Sequence, residues 1–243
     1  MTWHSNATLW ENALRQDPDN GVALDNLGHD YMDKGDYPTA IVLLKKAIQN
    51  EATYTECFNA YQNLGVAYSR NGQQEEAIKY FTLAISRRTA YVNAFFNRGL
   101  SYTDIGKYDS AVADFTTIIA TLDSLHTESY YSRGIALNKS NMTDRAIADY
   151  TAAIRIDPNY AGPYVNRGNI YFTRNLFDAA IADYNVALRI NPNDGPTWLN
   201  RSFVYFKMLR YKEALEDALK AKKLKINVHP NYIRDLNNGI NSH

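Results

Sequence analysis

The chain has 243 residues, 45% of them hydrophobic, enough to bury a continuous core and too many for a disordered polymer. Lys+Arg and Asp+Glu both number 26, so the net charge is zero and no overall field recruits a polyanion; charge gives no reason to expect nucleic acid as a partner. Cys57 is the single cysteine, which removes an internal disulfide and a thiolate zinc cluster, and no stretch reaches the roughly 18 apolar residues of a membrane span.

In chain order, the first expected element is a helix over Ser5–Gln16, closed by the turn signal "DPDN" at Asp17. Six copies of a longer pattern follow. Their origins are Gly28, Gly65, Gly99, Gly134, Gly168 and Ser202, at spacings of 37, 34, 35, 34 and 34. Four residues before each origin stand Leu24, Tyr61, Phe95, Tyr130, Tyr164 and Trp198; three after it stand Tyr31, Tyr68, Tyr102, Leu137, Tyr171 and Tyr205. These offsets mark one face of a first helix. Twelve after the origin every copy carries alanine, from Ala40 to Ala214, and sixteen after it come Leu44, Phe81, Phe115, Tyr150, Tyr184 and Ala218, the stripe of a second helix. Between the two lie "DKGDYPTA", "RNGQQEEA" and "DIGKYDSA", where glycine can end a helix in the left-handed conformation. The 37-residue step adds three residues around "NEATYTECFNA", read as a longer second helix or a looser turn. After the sixth copy, "HPNYIRDLNNGI" puts Tyr232 at the next aromatic place and has the polar content of a capping helix. The lysines 220, 222, 223 and 225 read as a solvated helix face.

A single helix pair cannot bury its apolar face, whereas stacked pairs can. The succession aromatic, Leu-Gly, Tyr, Ala, Phe, Ala, Pro over 34 residues resembles the tetratricopeptide repeat family across about Gly21 to Asn227. The resemblance implies an all-α fold, a right-handed α-solenoid of stacked antiparallel helix pairs. It divides the chain into a half repeat at 1–20 with only a second helix, six repeats at 21–227, and a capping helix and tail at 228–243. The start, "TWHSNATLWENALRQDPDNGVALDNLG", is similar to the segment after the last membrane span of membrane-embedded, glycosyltransferase-like proteins with such repeat tails. That likeness implies an extracytoplasmic bacterial tail; without it the expectation is a soluble cytoplasmic adaptor.

One residue before the origin the copies read Leu27, Leu64, Arg98, Arg133, Arg167 and Arg201; fifteen after it they read Leu43, Tyr80, Asp114, Asp149, Asp183 and Asp217. Arginine and aspartate are present together or replaced together, which predicts an ion pair between the two helices of a repeat. Two before the origin stand Asn26, Asn63, Asn97, Ser132, Asn166 and Asn200, far from the centre of the core stripe. An asparagine there can serve a structural hydrogen bond or grip a peptide backbone. In the tetratricopeptide family this face lines the concave side, so the resemblance implies that Asn97, Asn166 and Asn200 hold an extended peptide. Neighbouring places turn apolar along the chain, and Phe96, Tyr131, Phe172, Phe203 and Phe206 are expected to select its side chains, with Lys139 and Lys207 pairing an acidic group. Asp25 and His29 stand where the family's chaperone-binding members carry their carboxylate clamp, so that clamp is not expected.

No catalytic set assembles: the five histidines are scattered, no glycine-rich phosphate loop follows a strand, and no cofactor or metal is called for. The expected function is a non-catalytic scaffold binding a protein or peptide. Two alternatives stand beside it, an assembly or substrate-recruiting module of a membrane enzyme and a self-associating array, that is, a homo-oligomer.

Overall fold

The structure, a computed structural model, describes residues 7–49 and 57–242, whose regular elements are α-helices and one π-helical turn. Ser5 and the extra residues expected around Asn50–Glu56 lie outside the described residues. The chain divides into two compact units, Met1–Ser129 and Tyr130–His243.

Unit 1 contains α1 (Ala7–Gln16), then the pairs α2 (Gly21–Asp33) with α3 (Tyr37–Gln49), α4 (Cys57–Arg70) with α5 (Gln74–Arg87), and α6 (Val92–Asp104) with α7 (Tyr108–Thr117). α8 (Thr127–Lys139) begins in unit 1 and ends in unit 2, where it is followed by α9 (Thr143–Ile156). Unit 2 continues with α10 (Ala161–Thr173) and α11 (Phe177–Ile190), α12 (Gly195–Lys207) and α13 (Tyr211–Lys223), and closes with α14 (Pro230–Asn241). Within unit 1 each helix from α1 to α7 packs on the next in sequence and the first helices α2, α4 and α6 also touch in order; within unit 2 each helix from α9 to α14 packs on the next. Each unit is therefore a helical repeat solenoid. Its core is the stripe read from the sequence: Ala40, Leu44, Tyr61, Ala77 and Phe81 in unit 1, and Ala180, Tyr184, Ala214 and Ala218 in unit 2, are all buried.

The glycine origins are a close-approach requirement. A Cβ on Gly65 would sit 2.5 Å from Cε1 of Phe81, and one on Gly134 2.6 Å from Tyr150. The sixth repeat shows the same rule from the other side: where Ser202 replaces glycine, Ala218 replaces the aromatic sixteen residues on. The Ser202 hydroxyl donates to the carbonyl of Ala214 at 2.6 Å and lies 2.8 Å from the Tyr232 hydroxyl, which lets a buried polar side chain replace the ring.

The turn inside each repeat is also repeated. Seven after the origin the backbone has positive φ six times, at Gly35, Gly72, Gly106, Asn141, Asn175 and Leu209. The residue after it donates back five positions, as in Asp36 to the Tyr31 carbonyl and Arg210 to that of Tyr205, both 2.9 Å. Leu209, with φ of 61°, is the costly member, since a Cβ is disfavoured there. Its side chain is 62% exposed, so little packing is lost on removing it. Leu209→Gly is therefore expected to stabilise the chain by about 0.5–1 kcal/mol, read as a higher urea midpoint.

The 35-residue step between Gly99 and Gly134 has its own cause. After α7 the chain makes a π-helical turn at Ile118–Leu122, with the Asp123 N–H donating to the Ile118 carbonyl at 2.8 Å. One residue more than the period is absorbed as one wide turn, and the stripe stays in phase.

Candidate functional site

The arginine and aspartate places form bidentate pairs in four repeats. Arg98 donates to Asp114 at 2.8 and 2.7 Å, Arg133 to Asp149 at 2.7 and 2.8 Å, Arg167 to Asp183 at 2.8 and 2.7 Å, and Arg201 to Asp217 at 2.7 and 2.8 Å. All four aspartates are buried. Each of three arginines also ties its repeat to the preceding one: Arg98 donates to Thr82 at 3.0 Å, Arg167 to Thr151 at 2.8 Å and Arg201 to Asn185 at 2.5 Å. The guanidiniums stack on flanking rings, Arg201 4.8 Å from Trp198 and 5.7 Å from Tyr205. Burial pulls the Arg201 guanidinium down, but its bonds to Asp217 win and its pKa is raised; for the Asp217 carboxyl burial wins over the same bonds and its pKa is raised too. These arginines are structural.

The asparagine row is partly self-bonded. Asn26 donates to the Val22 carbonyl at 2.8 Å and Asn63 to Asp25 at 2.8 Å. In unit 2, Asn166 donates to the Tyr131 hydroxyl at 3.2 Å and Asn200 to the Asn169 side-chain carbonyl at 3.1 Å. Burial pushes the Tyr131 hydroxyl up, which keeps it neutral as an acceptor, although Asn166 pulls the other way. The bonds of Asn63, Asn166 and Asn200 each join one first helix to its neighbour, whereas that of Asn26 stays within α2, and each uses one amide hydrogen of two. Asn97 differs: among the described residues its side chain makes no hydrogen bond, and it borders a cavity.

The five aromatic residues read as side-chain selectors are each packed against another ring. Phe96 lies 5.7 Å from Phe115 and 5.3 Å from His126; Tyr131 is 6.0 Å from Tyr150 and 4.9 Å from Tyr160; Phe172 is 6.2 Å from Phe177. Phe203 and Phe206 meet at Tyr232 of α14, at 4.9 and 5.6 Å. Phe203 is still 37% exposed, and the other four are half-buried. Lys139 and Lys207 are exposed, with no ion pair among the described residues.

The space that sequence reasoning missed lies in unit 1. A cavity of about 450 Å³ is lined by Val66, Ser69, Arg70, Gln74, Phe81, Asn97, Leu100 and Asp104. A second, of about 300 Å³, is lined by His29, Met32, Asp33, Tyr37, Val66 and Arg70, so Val66 and Arg70 border both. Gln74 donates to the Ser69 carbonyl at 3.4 Å and to Asp104 at 3.2 Å, while its buried carbonyl oxygen has no partner. Arg70 is exposed and makes no ion pair among the described residues; Asp33 lies 3.5 Å from His29. The lining thus offers amide donors and acceptors, one guanidinium and an apolar floor, which suits a peptide backbone with one polar side chain. The sequence did carry a signal, a run of small or polar residues at these places in α2 and α4, where bulk is missing. Among the described residues no group of three His, Cys, Asp or Glu can hold a metal, and no helix is long and apolar enough to cross a membrane.

Stacked helix pairs at a 34-residue period define an α-helical repeat protein. Models described as tetratricopeptide repeat match residues 19–90, 92–120 and 162–194, and one described as TPR repeat matches 134–175; the chain belongs to the tetratricopeptide repeat family. Among solved structures it is similar to a tetratricopeptide repeat protein from Parabacteroides merdae ATCC 43184, with 21% identity over 89% of this chain and 97% of that one and a TM-score of 0.69. It is similar to MamA, with 24% identity over 68% of this chain and 95% of that one and a TM-score of 0.63. It is also similar to YrrB, described as a TPR protein with an unusual peptide-binding site, with 19% identity over 77% of this chain and 95% of that one and a TM-score of 0.63. These likenesses establish the fold. No curated protein matches the chain.

Proposed function

We propose that the protein is a non-catalytic interaction scaffold that binds an extended peptide along its first-helix faces, with the unit 1 cavity as the principal seat. The observation that carries this reading is the cavity of about 450 Å³ beside an asparagine, Asn97, whose amide is left unbonded where those of Asn63, Asn166 and Asn200 bond neighbouring helices. Asn97 offers a donor and an acceptor to a peptide backbone, Gln74 an unmet acceptor, and Arg70 a cation for an acidic side chain or a carboxylate. Peptide binding by the structurally similar YrrB supports the same reading. Asn166 and Asn200 take a second part in it, through the amide atoms their intramolecular bonds leave over.

The test uses unstructured peptides selected by phage display on the whole chain, with affinities read by fluorescence anisotropy. Asn97→Ala and, separately, the cavity-filling Val66→Trp are each expected to weaken binding by about 1–2 kcal/mol, while Asn97→Ala leaves the melting temperature unchanged. Asn166→Ala with Asn200→Ala removes two bonds between first helices, so it is expected to lower stability by about 1–2 kcal/mol as well as binding. Selected peptides that bind both unit 1 variants as tightly as the parent would end this assignment.

A further inference from the structure

The two cavities of unit 1 share a wall, and the charged groups around them alternate in sign. Arg70, in the last turn of α4, borders both; Asp33 of α2 borders the smaller and Asp104 of α6 the larger. All three stand five residues after the origin of their repeat and all three are exposed. Because α2, α4 and α6 touch in order, a negative, a positive and a negative charge follow one another within this one compact unit. The other charges near these turns, Lys34, Asp36, Glu75 and Lys107, line neither cavity.

These groups have capacity to spare. Arg70 makes no ion pair among the described residues, and Asp104 accepts one bond, from the Gln74 amide to Oδ2 at 3.2 Å, which leaves Oδ1 for a ligand. Asp33 is exposed, with only the His29 ring 3.5 Å from its Oδ2. The Gln74 carbonyl oxygen, in the same wall as Arg70 and Asp104, is buried without a partner and calls for an N–H donor. Residues 1–129 carry 16 Asp+Glu against 10 Lys+Arg, so the field around the cavities favours a ligand that is positive overall. Spacing adds a further condition. Packed helices lie about 8–10 Å apart, and a polyproline-type chain advances about 9 Å in three residues while returning its side chain to the same face.

We infer that unit 1 selects a peptide carrying a basic, an acidic and a basic residue at three-residue intervals, the acid on Arg70 and the two bases on Asp33 and Asp104. An N–H of the bound chain donates to the Gln74 carbonyl oxygen. This rests on the cavity being a peptide seat and adds to it the order of charge the seat prefers. The order reads the same in both directions, so the selection holds whichever way the peptide runs. Exposed charges of this kind contribute more to choosing among peptides than to raw affinity, and salt weakens them.

The experiment measures, by fluorescence anisotropy on the whole chain, the binding of capped peptides of alanine and proline that carry three charged residues at three-residue intervals. The Lys-Glu-Lys peptide is expected to bind about tenfold more tightly than the Glu-Lys-Glu peptide, and to lose that lead as added salt screens the exposed pairs. Arg70→Glu is expected to move the preference to a Lys-Lys-Lys peptide, and Asp33→Lys with Asp104→Lys to a Glu-Glu-Glu peptide; circular dichroism checks that both variants keep the fold. A damaged fold weakens binding but does not reverse the sign of the preferred peptide. Equal binding of the two charge orders, a preference that the variants leave unmoved, or failure of the Lys-Glu-Lys peptide to bind each overturns the inference. The phage-selected peptides tell that failure apart from failure of the seat itself. If they depend on Asn97 and Val66 yet show no such order of charge, the cavity binds peptides and only the charge selection falls; if they are indifferent to both residues, the seat falls with it.

Discussion

Arg201→Leu is expected to destabilise the protein by about 3–5 kcal/mol, because it leaves the carboxylate of Asp217 buried without its guanidinium. Asp217 is only 3% exposed, and both of its oxygens accept from Arg201. The double change Arg201→Leu with Asp217→Leu is expected to recover most of the loss, since the first two repeats already fill these places with Leu27 and Leu43, and with Leu64 and Tyr80. It should fall short by about 1 kcal/mol for the bond to Asn185 and the stacking on Trp198. Urea denaturation of the parent, the two single variants and the double variant gives the coupling directly, and additive single changes would remove the pair as a unit. The pH dependence separates a buried charge from lost packing. An unfolded aspartate titrates near ~3.9, and the folded carboxyl of Asp217 already lies above its ordinary value through burial. A folded-state value raised in this way favours the fold below the unfolded pKa and loses that advantage as pH rises through the folded one. Removing Arg201 takes away the bonds that hold the value down, so the window widens upward. The melting temperature of Arg201→Leu is therefore expected to climb as the pH is lowered from neutrality, and a variant damaged only in packing would show no such recovery.

The helix pairs were legible in the sequence because each place recurs six times, so a residue such as Ala146 or Phe115 is read against five counterparts. Paired presence made the Arg98–Asp114 type of contact legible as well. Left-handed turns were legible only where glycine marks them. Asn141 and Asn175 take the same conformation, which asparagine tolerates better than other residues with a Cβ, while nothing in the chemistry of Leu209 announces it and only the period could have placed it. The 35-residue step was visible, but its absorption as a π-helical turn depends on backbone bonds that carry no residue signature.

The candidate site was less legible. A helical wheel puts Phe96, Tyr131, Phe172, Phe203 and Phe206 away from the core stripe, but it shows one helix alone. Their neighbours come from elsewhere in the fold: Tyr160 reaches Tyr131, and Tyr232 reaches both Phe203 and Phe206. The unit 1 cavity was hidden for the opposite reason. A cavity is volume that Val66, Ser69 and Leu100 fail to fill, and a reading that looks for chemically distinctive residues passes over what is small. Asn97 was found from its recurrence, while its difference from Asn166 and Asn200 needed the hydrogen bonds.

Leu236→Ala is expected to cost about 2–5 kcal/mol, the range for truncating a fully enclosed leucine, although it lies in the last helix of the chain. Leu236 is 0% exposed and belongs to one core with Ala214, Ala218, Ala221 and Val228. The reason is the sixth repeat's departure from the pattern. With Ser202 and Ala218 in place of glycine and a ring, the pair α12 and α13 lacks the large side chain that closes the other repeats from within, and α14 supplies cover through Leu236, Ile233 and Tyr232. In a stacked array each pair is held by its neighbours, so weakening the cap lowers the stability of the adjacent pair first. Hydrogen exchange should show the loss graded along unit 2, largest for amides of α12 and α13 and smaller for α10 and α11. Equal loss of protection throughout the unit would mean that α14 is not a local cap and that unit 2 opens only as a whole. Tyr232→Phe provides the milder comparison: it keeps the ring over Phe203 and Phe206 and removes only the hydroxyl contact with Ser202, for an expected cost of about 1 kcal/mol.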